Sequence, residues 1–320
     1  MTQASDFTKV DRNAFNHQHL IGIEELSSDE INIILDLADY YSERLKDRTF
    51  KTRILEDKII LTLFFEDSTR TKTSFDMAAK HLGAQVVHWD AKTSSLNKGE
   101  TFHDTITTLN AMSPDGVIVR HSEFGAPKTI STLVDCPVIN AGDSWNEHPT
   151  QALLDALTMR HHFGKLEGLT VAIIGDIAHS RVASSNMKLL SKMGATVRAI
   201  APEILMPKQP PSTEIKKFQS LDEGIDGADV IITIRPQKER MDQALINDQS
   251  YFRDYGLTEE KLALTKKETT IVLDPGPFLR NVQISDDLAD NKERFIYHKQ
   301  VSNGIPTRMA VMDLLIKDRN

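Results

Sequence analysis

Cysteine is almost absent from this chain: Cys136 stands alone in 320 residues. A single thiol excludes an intrachain disulfide and any cysteine-rich zinc site, and it fits a reducing compartment. Long apolar runs are missing as well. None reaches the roughly 18 residues that a membrane span needs, and residues 1–20 are polar, without the apolar centre of a secretory signal. Together these absences predict a cytoplasmic protein with no membrane partner. Positive charge is not in excess: 38 Lys and Arg face 46 Asp and Glu, for a net charge of −8. That argues against nucleic acid as a partner, although a local basic patch remains compatible with it. Glycine-rich phosphate loops are lacking too. No Gly-Lys-Ser/Thr ending occurs, and Gly175-Asp176 lacks the other glycines of a dinucleotide fingerprint. There is no internal repeat and no low-complexity tract.

What is present is an ordinary globular composition, 40% hydrophobic and 26% charged, in a chain long enough for two domains with their own cores. Short apolar runs recur: Ile59–Phe65, Val86–Trp89, Gly116–Val119, Pro137–Asn140, Val171–Ile174, Val197–Ile200, Val230–Ile234 and Ile271–Leu273. They read as buried strands. Helical stretches alternate with them. Ser27-x-x-Glu30 is a capping box opening a helix through Ile31, Ile34, Leu35 and Ala38. Further helices are predicted over Ser74–Leu82, Gly99–Met112, from Pro149 to His162, from about Ser180 to Gly194 and from about Pro306 to Ile316. Pro202–Pro211, with four prolines, reads as an irregular loop. This alternation predicts an α/β fold of two doubly wound parallel-sheet domains. A boundary is expected around the Pro149–His162 helix, with residues 1–150 in the first domain and 151–303 in the second.

Polar residues collect just after the strands. Glu66-Asp67-Ser68-Thr69-Arg70-Thr71-Lys72-Thr73 follows Ile59–Phe65 and precedes a helix. The N–H groups and positive dipole end of a helix start suit an anion. Ser68, Thr69 and Thr71 add hydroxyls, and Arg70 adds a planar fork that matches phosphate. Alone, the segment is equally an ordinary helix cap with an exposed arginine. Arg120 and His121 end another strand and would supply a second cation. His148-Pro149-Thr150-Gln151 opens a helix, where the dipole favours a neutral imidazole able to donate to a carbonyl oxygen. Gln151 lies one turn on, on the same face, and could hold an amide group. Arg235 leaves a strand, and Arg181 sits near a helix start after Gly175-Asp176; such a pair suits a substrate with two carboxylates. Ser94-Ser95-Leu96-Asn97-Lys98-Gly99-Glu100 reads as a polar surface loop whose lysine could reach a neighbouring chain. Ligands of open parallel sheets bind beyond the carboxyl ends of strands, so an active site is expected in a cleft between the two domains.

Six blocks carry a resemblance. They are Phe64-Phe65-Glu66-Asp67-Ser68-Thr69-Arg70-Thr71, Lys98-Gly99-Glu100-Thr101, Val119-Arg120-His121, Glu147-His148-Pro149-Thr150-Gln151-Ala152-Leu153-Leu154-Asp155, Arg235-Pro236-Gln237-Lys238-Glu239-Arg240 and Asp274-Pro275-Gly276-Pro277. In this order, over essentially the full length, the chain resembles the aspartate and ornithine carbamoyltransferase family. The resemblance implies carbamoyl transfer from carbamoyl phosphate to L-aspartate, a step of de novo pyrimidine biosynthesis, with no metal and no cofactor. It implies that residues 1–150 bind carbamoyl phosphate, that a helix at about 304–320 returns to them, and that 151–303 bind aspartate. Ser68, Thr69, Arg70 and Thr71 would grip the phosphate with Arg120. Thr71, Arg120 and His148 would meet the carbamoyl oxygen; Gln151 and the backbone of Gly276 and Pro277 would hold its amino group. Lys98, with Ser94 or Ser95, would come from the adjacent subunit of a homotrimer. Arg181, Arg235 and Gln237 would bind aspartate, and Glu66 with Arg181 and Arg240 would form a domain-closing ion-pair set.

Two arginines would repel the cationic side chain of ornithine, and the His-Cys-Leu-Pro and Ser-Met-Gly motifs of the ornithine branch are missing. Another carbamoyltransferase, acting on ornithine or an acylated ornithine, is therefore the weaker alternative, and a non-catalytic scaffold subunit weaker still, since no catalytic position is lost. Asp274 stands where the family usually has His, and Pro236 replaces a commoner Val. In this family, regulatory chains or a dihydroorotase partner can join two trimers. Neither has a signature here, and one cysteine cannot supply the regulatory zinc module.

Overall fold

A computed structural model describes residues 10–211, 214–238 and 247–317. The chain forms two compact units: the first runs to Leu157 and resumes at Ser302, and the second spans Thr158–Val301.

The first unit contains α1 (Ser28–Arg44), β1 (Ile59–Phe64), α2 (Arg70–His81), β2 (Gln85–Asp90), α3 (Phe102–Asn110), β3 (Gly116–His121), α4 (Ala126–Ser131), β4 (Val138–Asp143) and the start of α5 (Pro149–Phe163). Its parallel sheet has the order β2-β1-β3-β4. The second contains β5 (Thr170–Gly175), α6 (Arg181–Lys192), β6 (Thr196–Ile200), β7 (Lys216–Phe218), α7 (Leu221–Ile225), β8 (Val230–Ile234), α8 (Asp248–Tyr255), α9 (Glu259–Ala263), β9 (Ile271–Leu273), α10 (Asp286–Asp290) and α11 (Tyr297–Ser302). Its sheet is parallel throughout, in the order β7-β6-β5-β8-β9. The last helix, α12 (Gly304–Ile316), belongs to the first unit and packs on α1 and α2. The expected fold class of two doubly wound parallel sheets is therefore what forms.

The local causes are plain in the side chains. β1 and β8 are buried over several successive residues rather than alternately, as strands covered on both faces must be. The α1 capping box closes as expected: Ser27 Oγ accepts from the Glu30 N–H at 3.2 Å, and Glu30 Oε2 accepts from the Ser27 N–H at 2.9 Å. Leu61, Leu63, Val117, Val119 and Val138 form one core with Ile106 and Ile130. Ala172, Ile174, Ile231 and Val272 form another with Leu221, Leu257 and Leu288.

Some boundaries differ from expectation. α2 begins at Arg70, not Ser74, because Thr71 shares the buried stripe of Phe75, Ala78 and Ala79 at helical spacing. α3 begins at Phe102, not Gly99. Gly99 has φ +91° and closes a short 3₁₀ turn, and Thr101 Oγ1 then caps the helix by accepting from the Asp104 N–H. The short elements α4, β7 and α7–α11 carry too few residues for a periodic signal.

Polar bonds hold α12 in place. Asp313 Oδ2 accepts from Tyr41 Oη on α1 at 2.7 Å and from Arg12 Nη2 at 3.0 Å. Tyr41 and Asp313 are both 1% exposed, and the Tyr41 phenol is pushed up, first by burial and then by the carboxylate. Tyr41→Phe is predicted to lower the midpoint of urea unfolding by the equivalent of about 1–2 kcal/mol; an unchanged midpoint would remove this bond from the stability account.

Candidate functional site

The polar segment after β1 sits at the point where the first sheet reverses direction, between β1 and β3. Phe64 pairs with Arg120 in the ladder, and the Phe65 N–H donates to the Arg120 carbonyl at 2.9 Å. The two strand ends therefore advance together. Thr69, the N-cap of α2, makes no side-chain cap bond, so the first-turn N–H groups of α2 are not taken up by a cap. Ser68 and Arg70 are half-buried, Thr69 is exposed and Thr71 is buried.

His148 precedes Pro149, the first residue of α5, and its carbonyl accepts from the Gln151 N–H at 3.0 Å. Proline suits that position, where no helical N–H bond is lost. The His148 imidazole turns toward α2: Nε2 lies 3.4 Å from Thr71 Oγ1, with both residues buried. Gln151, one turn along, donates its amide to Asp155 Oδ1 at 3.0 Å. Arg120 donates through Nε to Glu66 Oε2 at 3.1 Å, with both side chains about one-fifth exposed (17% and 21%). The structure thus brings Thr71, His148 and Gln151 together at two helix starts, and pairs Arg120 with Glu66. Lys98 and Ser95 are exposed on the 3₁₀ turn Ser95–Lys98, and Ser94 Oγ donates to the Ala91 carbonyl at 2.8 Å.

The second unit repeats the logic at its own reversal, between β5 and β8. Gly175 faces Ile234 in register. It has φ +125°, and a Cβ there would stand 1.8 Å from the Ile234 carbonyl oxygen. Only glycine permits that approach. Asp176, next in the chain, is fully buried: Oδ2 accepts from the Gln237 N–H at 2.9 Å, and Oδ1 lies 2.8 Å from His179 Nδ1. Asp176 therefore ties the loop after β8 to the end of β5. Arg235 is half-buried on that loop, its Nη1 donating to the Pro236 carbonyl, and Gln237 Nε2 donates to the Arg235 carbonyl at 3.2 Å. Arg181 opens α6 and is 4% exposed, just after Ser180 caps the helix through the Ala183 N–H. Arg240 lies outside the described residues.

Asp274 is buried and richly bonded. Its carboxylate accepts from the Gly276 N–H at 2.7 Å, Thr233 Oγ1 at 2.7 Å and Gln283 Nε2 at 2.6 Å. It fixes the turn that carries Gly276, whose φ of +65° favours glycine. Sequence reasoning places Asp155 in the block that contains His148 and Asp176 among the polar residues that follow strands, but gives neither a role. The spacing of Asp155 four residues after Gln151 was the available signal for the first; the second shows only through a bond made far along the chain.

The first unit can therefore offer an anion hydroxyls, backbone N–H groups and arginine forks, with an imidazole and an amide alongside. The second offers two arginines, one of them on a loop tied down by the buried carboxylate of Asp176. Residues 18–161 match the model of the aspartate/ornithine carbamoyltransferase carbamoyl-P binding domain, and residues 167–315 match that of the Asp/Orn binding domain. The chain is 49% identical over 309 residues to the aspartate carbamoyltransferase catalytic subunit of Granulibacter bethesdensis, covering 96% of this chain and 97% of that one. Its fold is similar to aspartate transcarbamoylase from Trypanosoma cruzi in complex with carbamoyl phosphate, with a TM-score of 0.84, 31% identity, and 95% and 98% of the two chains covered. The same protein in complex with carbamoyl aspartate and phosphate gives a TM-score of 0.84 at 32% identity, covering 95% and 97%.

His121 adds a pH response beside this site. Its ring packs on Phe65 and Phe102, with centroids 4.4 and 5.4 Å away, and Nδ1 accepts from the Glu123 N–H at 2.9 Å. Burial pushes the imidazole below its usual 6.5, against the pull of Glu123, Glu66 and Asp143. The unfolded chain then takes up this proton first, so the contribution is present above pH 6.5 and is lost as pH falls toward the folded value. His121→Gln is predicted to flatten the fall in melting temperature between pH 7.5 and about 5.5. Parallel profiles for the two proteins would dismiss His121 as its source.

Proposed function

The chain belongs to the aspartate/ornithine carbamoyltransferase family, and from that premise we propose that it transfers the carbamoyl group of carbamoyl phosphate to the α-amino group of L-aspartate. The products are N-carbamoyl-L-aspartate and phosphate, in the de novo route to pyrimidines. The observation that carries the reading is the meeting of Thr71 and His148 at 3.4 Å, one turn from Gln151 and at the end of a strand that pairs with Arg120's.

Phosphate binds at the start of α2, where Ser68, Thr69, Arg70 and Thr71 supply hydroxyls, N–H groups and a charged fork. Arg120 approaches from β3, its orientation set by Glu66. Thr71, Arg120 and His148 polarise the carbamoyl oxygen, while Gln151 and the Gly276–Pro277 backbone take the amino group. Arg181 and Arg235 bind the two carboxylates of aspartate, with Gln237 beside them. The neutral amine then attacks the carbonyl carbon, forming the new C–N bond. The oxyanion that develops is stabilised by the three donors already directed at it. The C–O bond to phosphate breaks, and the departing phosphate takes the amine proton, so no side-chain base is required. Acceleration then comes from positioning and charge.

Lys98, with Ser94 or Ser95, completes the phosphate site of a neighbouring copy, which makes the working form a homotrimer. Its support is the exposure of Lys98 on a turn pinned by Gly99. A cytoplasmic setting suits the chain, whose single cysteine is buried. No described helix is long and apolar enough to cross a membrane.

The first experiment is carbamoyl transfer by the purified chain, run in parallel with L-aspartate and L-ornithine. Turnover with aspartate alone is expected; turnover with ornithine alone would overturn the two-arginine reading. Arg70→Ala should cut kcat by about 10²–10³-fold, and near-normal turnover would remove Arg70 from the phosphate site. Arg235→Ala should raise KM for aspartate by about tenfold or more while sparing that for carbamoyl phosphate. Equal effects on both substrates would deny Arg235 its place.

A further inference from the structure

Behind Gln151 lies a buried charge pair that the proposed reaction does not touch. Asp155, one turn further along α5, is 0% exposed and accepts from Gln151 Nε2 at 3.0 Å. Within electrostatic reach of it is Arg308 on α12, itself 3% exposed, where Gly304 at the helix start lies against Leu154. Burial pushes Arg308 down to about 9; Asp155 opposes that fall and Arg120 adds to it. The guanidinium therefore remains charged at neutral pH, with Asp155 as its compensating anion. Arg308 is fixed on its other sides. Its guanidinium carbon stands 4.9 Å from the centroid of the Phe75 ring on α2, and Nη1 donates to the Gly304 carbonyl at 3.2 Å. A Cβ at Gly304 would come within 2.5 Å of Nη1, so a glycine leaves room for the guanidinium.

This arrangement decides which way the Gln151 amide points. An amide can present either its NH2 group or its oxygen to a neighbour, and the two ends are nearly the same size. A carboxylate beside a guanidinium only accepts hydrogen bonds. The end of Gln151 that meets Asp155 must then be the NH2 group, and the oxygen points elsewhere as an acceptor. We propose that Asp155, through its bond from Gln151 Nε2 and with Arg308 as its nearby counter-charge, is a positioning residue that locks the Gln151 oxygen toward the amino group of the carbamoyl substrate and so makes the site select a carbamoyl over an acyl group. This rests on the reading of Gln151 given above.

Acetyl phosphate provides the probe. It replaces the NH2 of carbamoyl phosphate with a methyl group of similar size, so it fills the same space without a donor for Gln151. Inorganic phosphate reports on the phosphate site alone. Dissociation constants of the three are to be measured by calorimetry on the full chain. In Asp155→Asn the side chain can either donate or accept, so Gln151 is no longer held in one orientation. Carbamoyl phosphate should weaken by about tenfold, with acetyl phosphate and phosphate within about twofold of their original values.

Because Asp155→Asn leaves Arg308 uncompensated and could unfold the unit, the double variant Asp155→Asn/Arg308→Gln, which removes both charges, is measured beside it with the same expectation. Equal weakening of all three ligands would reduce the pair to a structural role and overturn the proposal. Gln151→Ala separates the two levels. If it removes the preference for carbamoyl over acetyl phosphate while the Asp155 variants retain it, the lock is wrong and the reading of Gln151 stands. If Gln151→Ala also retains the preference, the reading of Gln151 itself fails, and the proposal with it.

Discussion

A parallel strand covered on both faces can show side chains to a ligand only where it ends. Both sheets of this protein obey that constraint. Apolar residues fill the middles of β1, β3, β5 and β8, and polar residues begin at their carboxyl ends: Glu66–Thr71, Arg120, Asp176 and Arg235. In each sheet the order reverses between two of these strands, so the chain departs in opposite directions and leaves their ends uncovered. The chemistry is thus placed by the sheet, and helix starts supply the rest. Arg70 and Thr71 open α2, Arg181 opens α6, and His148 directly precedes α5.

Collecting cations at such an edge is unfavourable unless anions are built in. Glu66 answers Arg120 in a partly exposed pair, where water shares the work and the bond mainly sets direction. Asp155 answers Arg308 in full burial, where a lone charge would be costly. The second unit uses carboxylates differently. Asp176 and Asp274 accept from backbone N–H groups and from side chains, and so brace the loops that follow β8 and β9. Asp274 thus has a definite structural task in this chain.

The sequence was legible wherever a residue pattern is local. Short apolar runs revealed the long-paired strands, the Ser27/Glu30 box fixed the start of α1, and Pro149 marked the start of α5. The motif Ser68–Thr71 with His148–Gln151 was legible because both pieces sit at helix starts, where sequence and geometry are tightly linked. The helix start at Arg70 was misread because Thr71 and Thr73 are indifferent helix formers; the buried stripe through Phe75 outweighs their preference. The short helices of the second unit could not be found by periodicity. Nor could the bond from Asp176 to Gln237 or the stacking of Arg308 on Phe75, since they join residues 61 and more positions apart and depend on which elements become neighbours.

The first unit is discontinuous and the second is not. Thr158–Val301 is a single stretch, whereas the first unit takes Arg308 and Asp313 from the segment that follows it. During translation, Asp155 and Tyr41 are therefore made long before their partners exist. The first unit cannot close until Gly304–Ile316 has been made and has left the exit tunnel. Messages truncated upstream of that helix therefore give products whose α1 and α2 lack the helix that packs on them.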